Sequence, residues 1–236
     1  MLEAVLFDWG DTLMQWTWDP ALLPVGHAAG LRALGREPSP ALVDRLEEAY
    51  LARLRREGTL VEIDYPALAR EALAEAGVEA VGDDELALFL EAEHEAWEPA
   101  RMLASTTHAL LESLRGRGLR LGLVSNAVDP PWLLHRDLER YGVAERIDAA
   151  VFSSEIGWRK PHPAIFERAL AELGVEPAAA LFVGDSLAND VGGAQAVGMR
   201  TCQALWFAAE EDDDAPEPDY RAFTQMDVVS VVGRLR

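Results

Sequence analysis

From residue 105 to residue 206 the chain alternates short apolar runs with longer stretches whose apolar residues recur every three and four positions, and few architectures accommodate that rhythm. The spacing predicts helices over 106–115, 131–141, 161–173 and 187–197, and strands over 119–124, 149–152, 180–183 and 201–206. Strands joined by helical crossovers run parallel and are covered on both faces. The expected fold is therefore α/β, with helices layered on either side of a central parallel sheet. The opening run 4–7, Ala-Val-Leu-Phe, is too short for a helix and reads as a central strand of that sheet. A strand near 220–223 and a helix over 226–235 close the pattern.

A different pattern separates the first strand from the rest. Residues 22–34, 40–56, 66–76 and 83–97 carry apolar side chains at helical spacing, with breaks at 35–38, 58–65 and 77–82. Four helices without a convincing strand between them make a helical bundle inserted into the α/β core. The expected division is a core of residues 1–15 and 101–236 and a helical cap of residues 16–100. With 236 residues, half of them hydrophobic, both parts can bury a core. The segment 14–20, rich in Trp, reads as a loop or short hairpin of the kind that forms a lid. Charged faces such as Glu47-Glu48 and Arg53-Arg55-Arg56, and the acidic run 210–219, read as solvated surface.

In open α/β sheets, ligands and reacting groups gather at the carboxyl ends of the strands. Asp8 ends the first strand. Ser125 and Asn126 follow the strand over 119–124, where a hydroxyl and the succeeding backbone N–H groups make a small anion cradle. Asp185 and Asp190 follow the strand over 180–183, with Gly184 permitting the turn. Singly, each has a plainer reading: Asp8 capping a turn, Ser125 capping a helix. Lys160, at the start of a helix, is the one lysine among 21 basic residues, and a compact ammonium in a tight site does not exchange for a planar guanidinium. Together, carboxylates from two strand ends, a hydroxyl and an ammonium around one crevice suit phosphoryl transfer. A divalent cation such as Mg2+ would bridge carboxylate to phosphate.

The composition narrows the partners. A formal charge of −20 lacks the basic footprint that nucleic acid or an anionic membrane requires. No stretch approaches the ~20 apolar residues of a membrane span and no basic segment precedes the first apolar run, so the expected location is cytoplasmic. Cys202 is the single cysteine, which rules out an intrachain disulfide, and its apolar setting suits a core thiol. The five histidines are scattered and make no metal motif.

The order Asp8…Thr12-Leu13, Ser125-Asn126, Gly157…Lys160-Pro161…Pro163…Ile165-Phe166, Gly184-Asp185-Ser186…Asn189-Asp190 resembles the haloacid dehalogenase superfamily, mostly Mg2+-dependent phosphatases, in the branch with a helical cap inserted after the first motif. The resemblance implies a Rossmann-like three-layer core. It implies that Asp8 is nucleophile and metal ligand, and that Ser125, Asn126 and Lys160 hold the phosphoryl group. Asp185 becomes the principal further metal ligand, Asp190 supports the metal or orients Lys160, and the Gly10 carbonyl completes the metal contacts. The implied substrate is a small phosphorylated molecule and the implied assembly a monomer or homodimer.

One departure matters. The family's second Asp, two residues after the nucleophile, serves as general acid and base; here that position is Gly10, with Asp11 following. Adjacent side chains in a loop leaving a strand point in different directions, so Asp11 is expected to brace the loop. Two other readings stand beside the phosphatase. One is a 2-haloacid dehalogenase, which needs no metal and usually carries an aromatic residue at the position of Gly10; the other is a phosphate-ligand binding protein without turnover. A phosphonatase route is excluded because it needs a cap lysine.

Overall fold

The computed structural model describes residues 1–54, 59–207 and 216–235. Arg55, Arg56, Gly58 and most of the acidic run lie outside them. The elements in order are β1 (Ala4–Phe7), β2 (Met14–Trp16), α1 (Leu22–Ala33), α2 (Pro40–Leu54), α3 (Tyr65–Glu75), α4 (Asp83–Ala96), β3 (Arg101–Leu103), α5 (Thr107–Arg115), β4 (Arg120–Ser125), α6 (Pro131–Arg140) and β5 (Ala149–Phe152). There follow α7 (Ser153–Ile156), α8 (Pro163–Leu173), β6 (Ala180–Gly184), α9 (Gly193–Ala196), β7 (Arg200–Ala204), β8 (Tyr220–Ala222) and α10 (Asp227–Leu235).

Six strands form one sheet in the order β5-β4-β1-β6-β7-β8, every pair parallel, as the helix–strand rhythm predicts. β1 is a continuous apolar run because it lies between β4 and β6 and is buried on both faces. Its alternate residues divide the core. Val5 and Phe7 join Leu121, Leu123, Leu181 and Val183 under Leu110 and Leu114 of α5 and Val228 and Val232 of α10. Ala4 and Leu6 join Val124 and Phe182 under Ile165, Phe166 and Leu170 of α8 on the other face. Burying each large apolar side chain here is worth about 1.5–3 kcal/mol. Cys202 is fully buried in β7, and burial pushes its thiol up to about 12, which suits a core thiol.

The helices α1 to α4 share a separate apolar cluster that includes Leu31, Leu46, Leu73 and Phe89. A Cβ on Gly30 would come within 2.5 Å of the Phe89 ring, so this glycine is what lets α1 lie against α4. The segment 14–20 does not make a local hairpin. β2 pairs antiparallel with β3, Trp16 opposite Arg101, at the point where the helical insertion leaves the sheet and returns to it. The helix expected over 187–197 is also divided, into a π-helical turn at Leu187–Gly192 and the short α9. No helix among the described residues is long and apolar enough to cross a membrane.

Candidate active site

β1, β4 and β6 end side by side at the centre of the sheet, and three sequence segments of distant origin meet there. The Asp8 amide donates to the Val183 carbonyl at 2.9 Å, fixing the carboxyl end of β1 beside β6. Lys160 arrives from the loop before α8. Its Nζ lies 2.7 Å from Asp8 Oδ1 and 2.6 Å from Asp190 Oδ1, and donates to the Val124 carbonyl at 3.1 Å. Lys160 and Asp190 are 3% and 1% exposed, so these contacts are shielded from water. The π-helical turn serves this placement: Ser186 caps it by accepting from the Asn189 amide, while Asp190 Oδ2 accepts from the Ser186 amide at 3.0 Å. Gly184 is required for the same reason, since a Cβ there would meet the Asp190 carboxylate at 2.3 Å.

Ser125 is buried at the end of β4. Asn126 follows, but its side chain is committed elsewhere. Its Oδ1 accepts from the Lys160 amide at 2.7 Å and its Nδ2 donates to the Lys160 carbonyl at 3.2 Å, so it clamps the lysine's main chain. The loop after Asp8 is equally fixed. The Thr12 carbonyl accepts from Trp206 Nε1 and Gln225 Nε2, and its hydroxyl reaches Asp185 Oδ1 at 3.5 Å. Asp11 sits at a left-handed φ of 52°, and its carboxylate accepts from the Trp16 amide at 3.1 Å, the bracing contact expected of it. Gly10 forms a bridge with Met14.

Oxygens of Asp8, Asp185 and Asp190 lie within 4.8 Å of one another, the one such acidic group among the described residues. Three carboxylates against one ammonium leave excess negative charge. Burial, with Asp190 adding and Lys160 opposing, pushes Asp8 up to about 6. Burial, with Asp8 and Asp190 adding, pushes Asp185 up to about 8. Burial works against the Lys160 ammonium, yet Asp190 and Asp8 beside it raise it above its ordinary value. An all-oxygen donor set with surplus negative charge fits a hard dication such as Mg2+.

A cavity of about 430 Å³ opens from this edge, with Gly10, Ser125 and Asn126 at its base and Trp9, Trp16 and Trp18 among its walls. Four more residues border it that no local motif announces: Asp129 and Asp137, each bonded to one ring nitrogen of His94, and Arg101, paired with Asp137 at 3.0 Å. The other histidines are structural or exposed, His162 capping α8 for example. A larger hollow of about 650 Å³ is lined by Asp44, Glu47, Glu48, Leu51 and Ala52, all on α2, and none of the strand-end residues reaches it.

The family model of the haloacid dehalogenase-like hydrolases matches residues 2–198. A phosphoserine phosphatase of Thermus thermophilus is 36% identical, over 93% of this chain and 95% of its own. A ribulose-1,5-bisphosphate 5-phosphatase of Halopiger xanaduensis is 30% identical over 95% and 92% of the two chains. Among solved structures, a 2-haloacid dehalogenase from Pseudomonas syringae superposes with a TM-score of 0.72 at 28% identity, covering all of both chains.

Proposed function

Because this chain belongs to the haloacid dehalogenase-like hydrolases, we propose that it is a Mg2+-dependent phosphatase acting on a small phosphorylated molecule through an aspartyl phosphate. The observation that carries the proposal is the convergence of three carboxyl groups on the single Lys160 ammonium, where Asp8 and Asp185 are disfavoured as anions unless a dication sits among them. Asp8, Asp185 and Asp190, with the Gly10 carbonyl, would hold it. Mg2+ there would neutralise the carboxylates and withdraw charge from the phosphoryl oxygens.

In the first step the Asp8 carboxylate attacks phosphorus, an O–P bond forms to Asp8, and the bond to the leaving oxygen breaks with its electron pair. Lys160 and Ser125 hold the phosphoryl oxygens, Asn126 keeps Lys160 in place, and Asp190 orients its ammonium. Water then cleaves the aspartyl phosphate to phosphate and restores Asp8. General acid help is worth about 10²- to 10⁴-fold, and Gly10 offers no proton to the leaving group. Asp11 is spent on the Trp16 amide. Leaving groups that depart as stable anions are therefore the better substrates. We assign residues 1–15 and 101–236 to the catalytic core and 16–100 to the cap over the crevice.

The likeness to a dehalogenase supports a second reading, displacement of halide by Asp8 without metal. The charge count opposes it, because nothing in that reaction would offset the second and third carboxylates. The test is phosphate release from p-nitrophenyl phosphate with Mg2+ and with chelator, alongside halide release from a 2-haloacid. Mg2+-dependent phosphate release that falls by about 10⁴-fold or more in Asp8→Asn is expected, in line with loss of other catalytic nucleophiles. Metal-independent halide release would overturn the assignment.

A further inference from the structure

The cavity of about 430 Å³ shares Gly10, Ser125 and Asn126 with the strand-end site, so whatever is joined to a phosphoryl group held there must extend into it. Trp16 and Trp18 form part of its wall. Both stack on Trp97, with ring centroids 5.6 and 5.0 Å away and planes within 26° and 24° of parallel. Trp18 is nonetheless 57% exposed, an ordered indole held on one side by Trp97 with much of its surface open.

The charged groups around the cavity are occupied with one another. His94 is held by Asp129 and Asp137, Arg101 by Asp137, and Arg159 by Glu62 at 2.9 Å. A small charged leaving group would find indole walls and already matched ion pairs. It would also leave most of the space to water, one molecule of which takes roughly 30 Å³. Gly10 points the same way by a separate route, because an aromatic oxygen leaves as a stabilised anion and needs little protonation.

From these observations, and resting on the phosphatase reading, we infer that the substrate is a phosphate monoester of a flat, uncharged aromatic or heteroaromatic alcohol whose ring packs on Trp18, the indole of the wall left open, since Trp16 stacks on Trp97 and has the Arg101 guanidinium over its ring. Stacking on an indole supplies affinity that a saturated group of equal acidity lacks.

The test compares kcat/KM for 2-naphthyl phosphate, a fluoroalkyl phosphate of matched leaving-group acidity, and phosphoserine. Naphthyl phosphate should exceed the fluoroalkyl ester by about tenfold. That ratio should collapse towards one in Trp18→Ala and be largely kept in Trp18→Phe. Equal values for the matched pair, a ratio indifferent to Trp18→Ala, or a preference for phosphoserine would overturn the inference. If no phosphate ester turns over, the phosphatase reading fails, and binding decides separately. Saturable quenching of tryptophan fluorescence by 2-naphthyl phosphate in Asp8→Asn, weakened about tenfold by Trp18→Ala, would sustain the ring site; its absence would overturn it.

Discussion

Two clusters of charge, one at the strand ends and one lining the cavity of about 430 Å³, are built in opposite ways. At the strand ends, Asp8, Asp185 and Asp190 share the single ammonium of Lys160. At the join between α4 and the core, His94 and Arg101 face Asp129 and Asp137, two potential cations to two carboxylates. Burial acts against charge in both, and the outcome differs. Burial raises Asp8 and Asp185 and is not offset, whereas at the join the contacts of His94 overcome it and hold Asp129 below the usual carboxylate range. A cluster that balances itself is a structural joint. One left with surplus charge is prepared for a ligand.

Removing a carboxylate should therefore have opposite effects in the two places. Asp137→Asn takes a partner from buried Arg101 and His94, and breaking such a buried pair costs about 3–5 kcal/mol. For a chain of this length that is a fall of roughly 6–20 °C in Tm. Asp185→Asn relieves repulsion, so the metal-free protein should melt no lower than wild type and should gain less from added Mg2+. Thermal melts with and without Mg2+ read both variants. A metal-free Asp185→Asn protein that melts well below wild type would erase the distinction between the clusters.

A narrower effect concerns the shape of the one cation at the strand ends. Lys160 Nζ sits within 3.1 Å of oxygens from Asp8, Asp190 and Val124, in a space where its side chain is 2% exposed. A guanidinium keeps the charge but is broader and planar, and cannot meet three converging oxygens in that volume. Lys160→Arg should raise the Ki of inorganic phosphate about tenfold or more, a loss comparable to one charged hydrogen bond. Wild-type inhibition by phosphate would show that only the charge matters.

What the sequence made legible follows from where the information is local. A run such as Ala4 to Phe7 followed by Asp8 reports a buried strand and its polar exit within five residues, and the three strand ends of the site are all of this kind. Lys160 was marked by its rarity. The β2–β3 ribbon was not legible, because Trp16 and Arg101 are short-strand residues paired across a whole helical insertion. Nor was the commitment of the Asn126 side chain to Lys160, or the cluster around His94, whose members come from α4, β3, α6 and the loop after β4. The π-helical turn escaped for another reason. It is set by the reach of Asp190 to Lys160, whereas the apolar spacing of 187–197 is compatible with an ordinary helix.

The smallest expected effect tests whether the balanced cluster is the joint described. Burial and the Arg101 guanidinium, whose nitrogens lie 2.7 and 3.0 Å from the ring, both work against the His94 imidazolium, but hydrogen bonds to Asp129 and Asp137 outweigh them and lift the pKa above the ordinary 6.5. A group whose pKa is higher in the folded state contributes stability in full below its unfolded pKa and loses it as pH rises through the folded value. Asp129 behaves in the reverse sense: held low, its contribution is present above the ordinary 3.8 and lost as pH falls through its folded value. The joint should thus be firmest between the two, from just above pH 4 to about 6.5, and loosen as pH rises above that range through the folded pKa of His94. The measurement is the Tm of wild type and His94→Gln across pH 5 to 9 in the presence of chelator, so that the strand-end carboxylates are common to both. The difference between the two proteins should shrink as pH rises above about 6.5. A difference that stays constant across that range would mean that His94 has the same pKa folded and unfolded, and one that grows as pH rises would mean that His94 is held neutral in the fold and that Arg101 alone balances the two carboxylates.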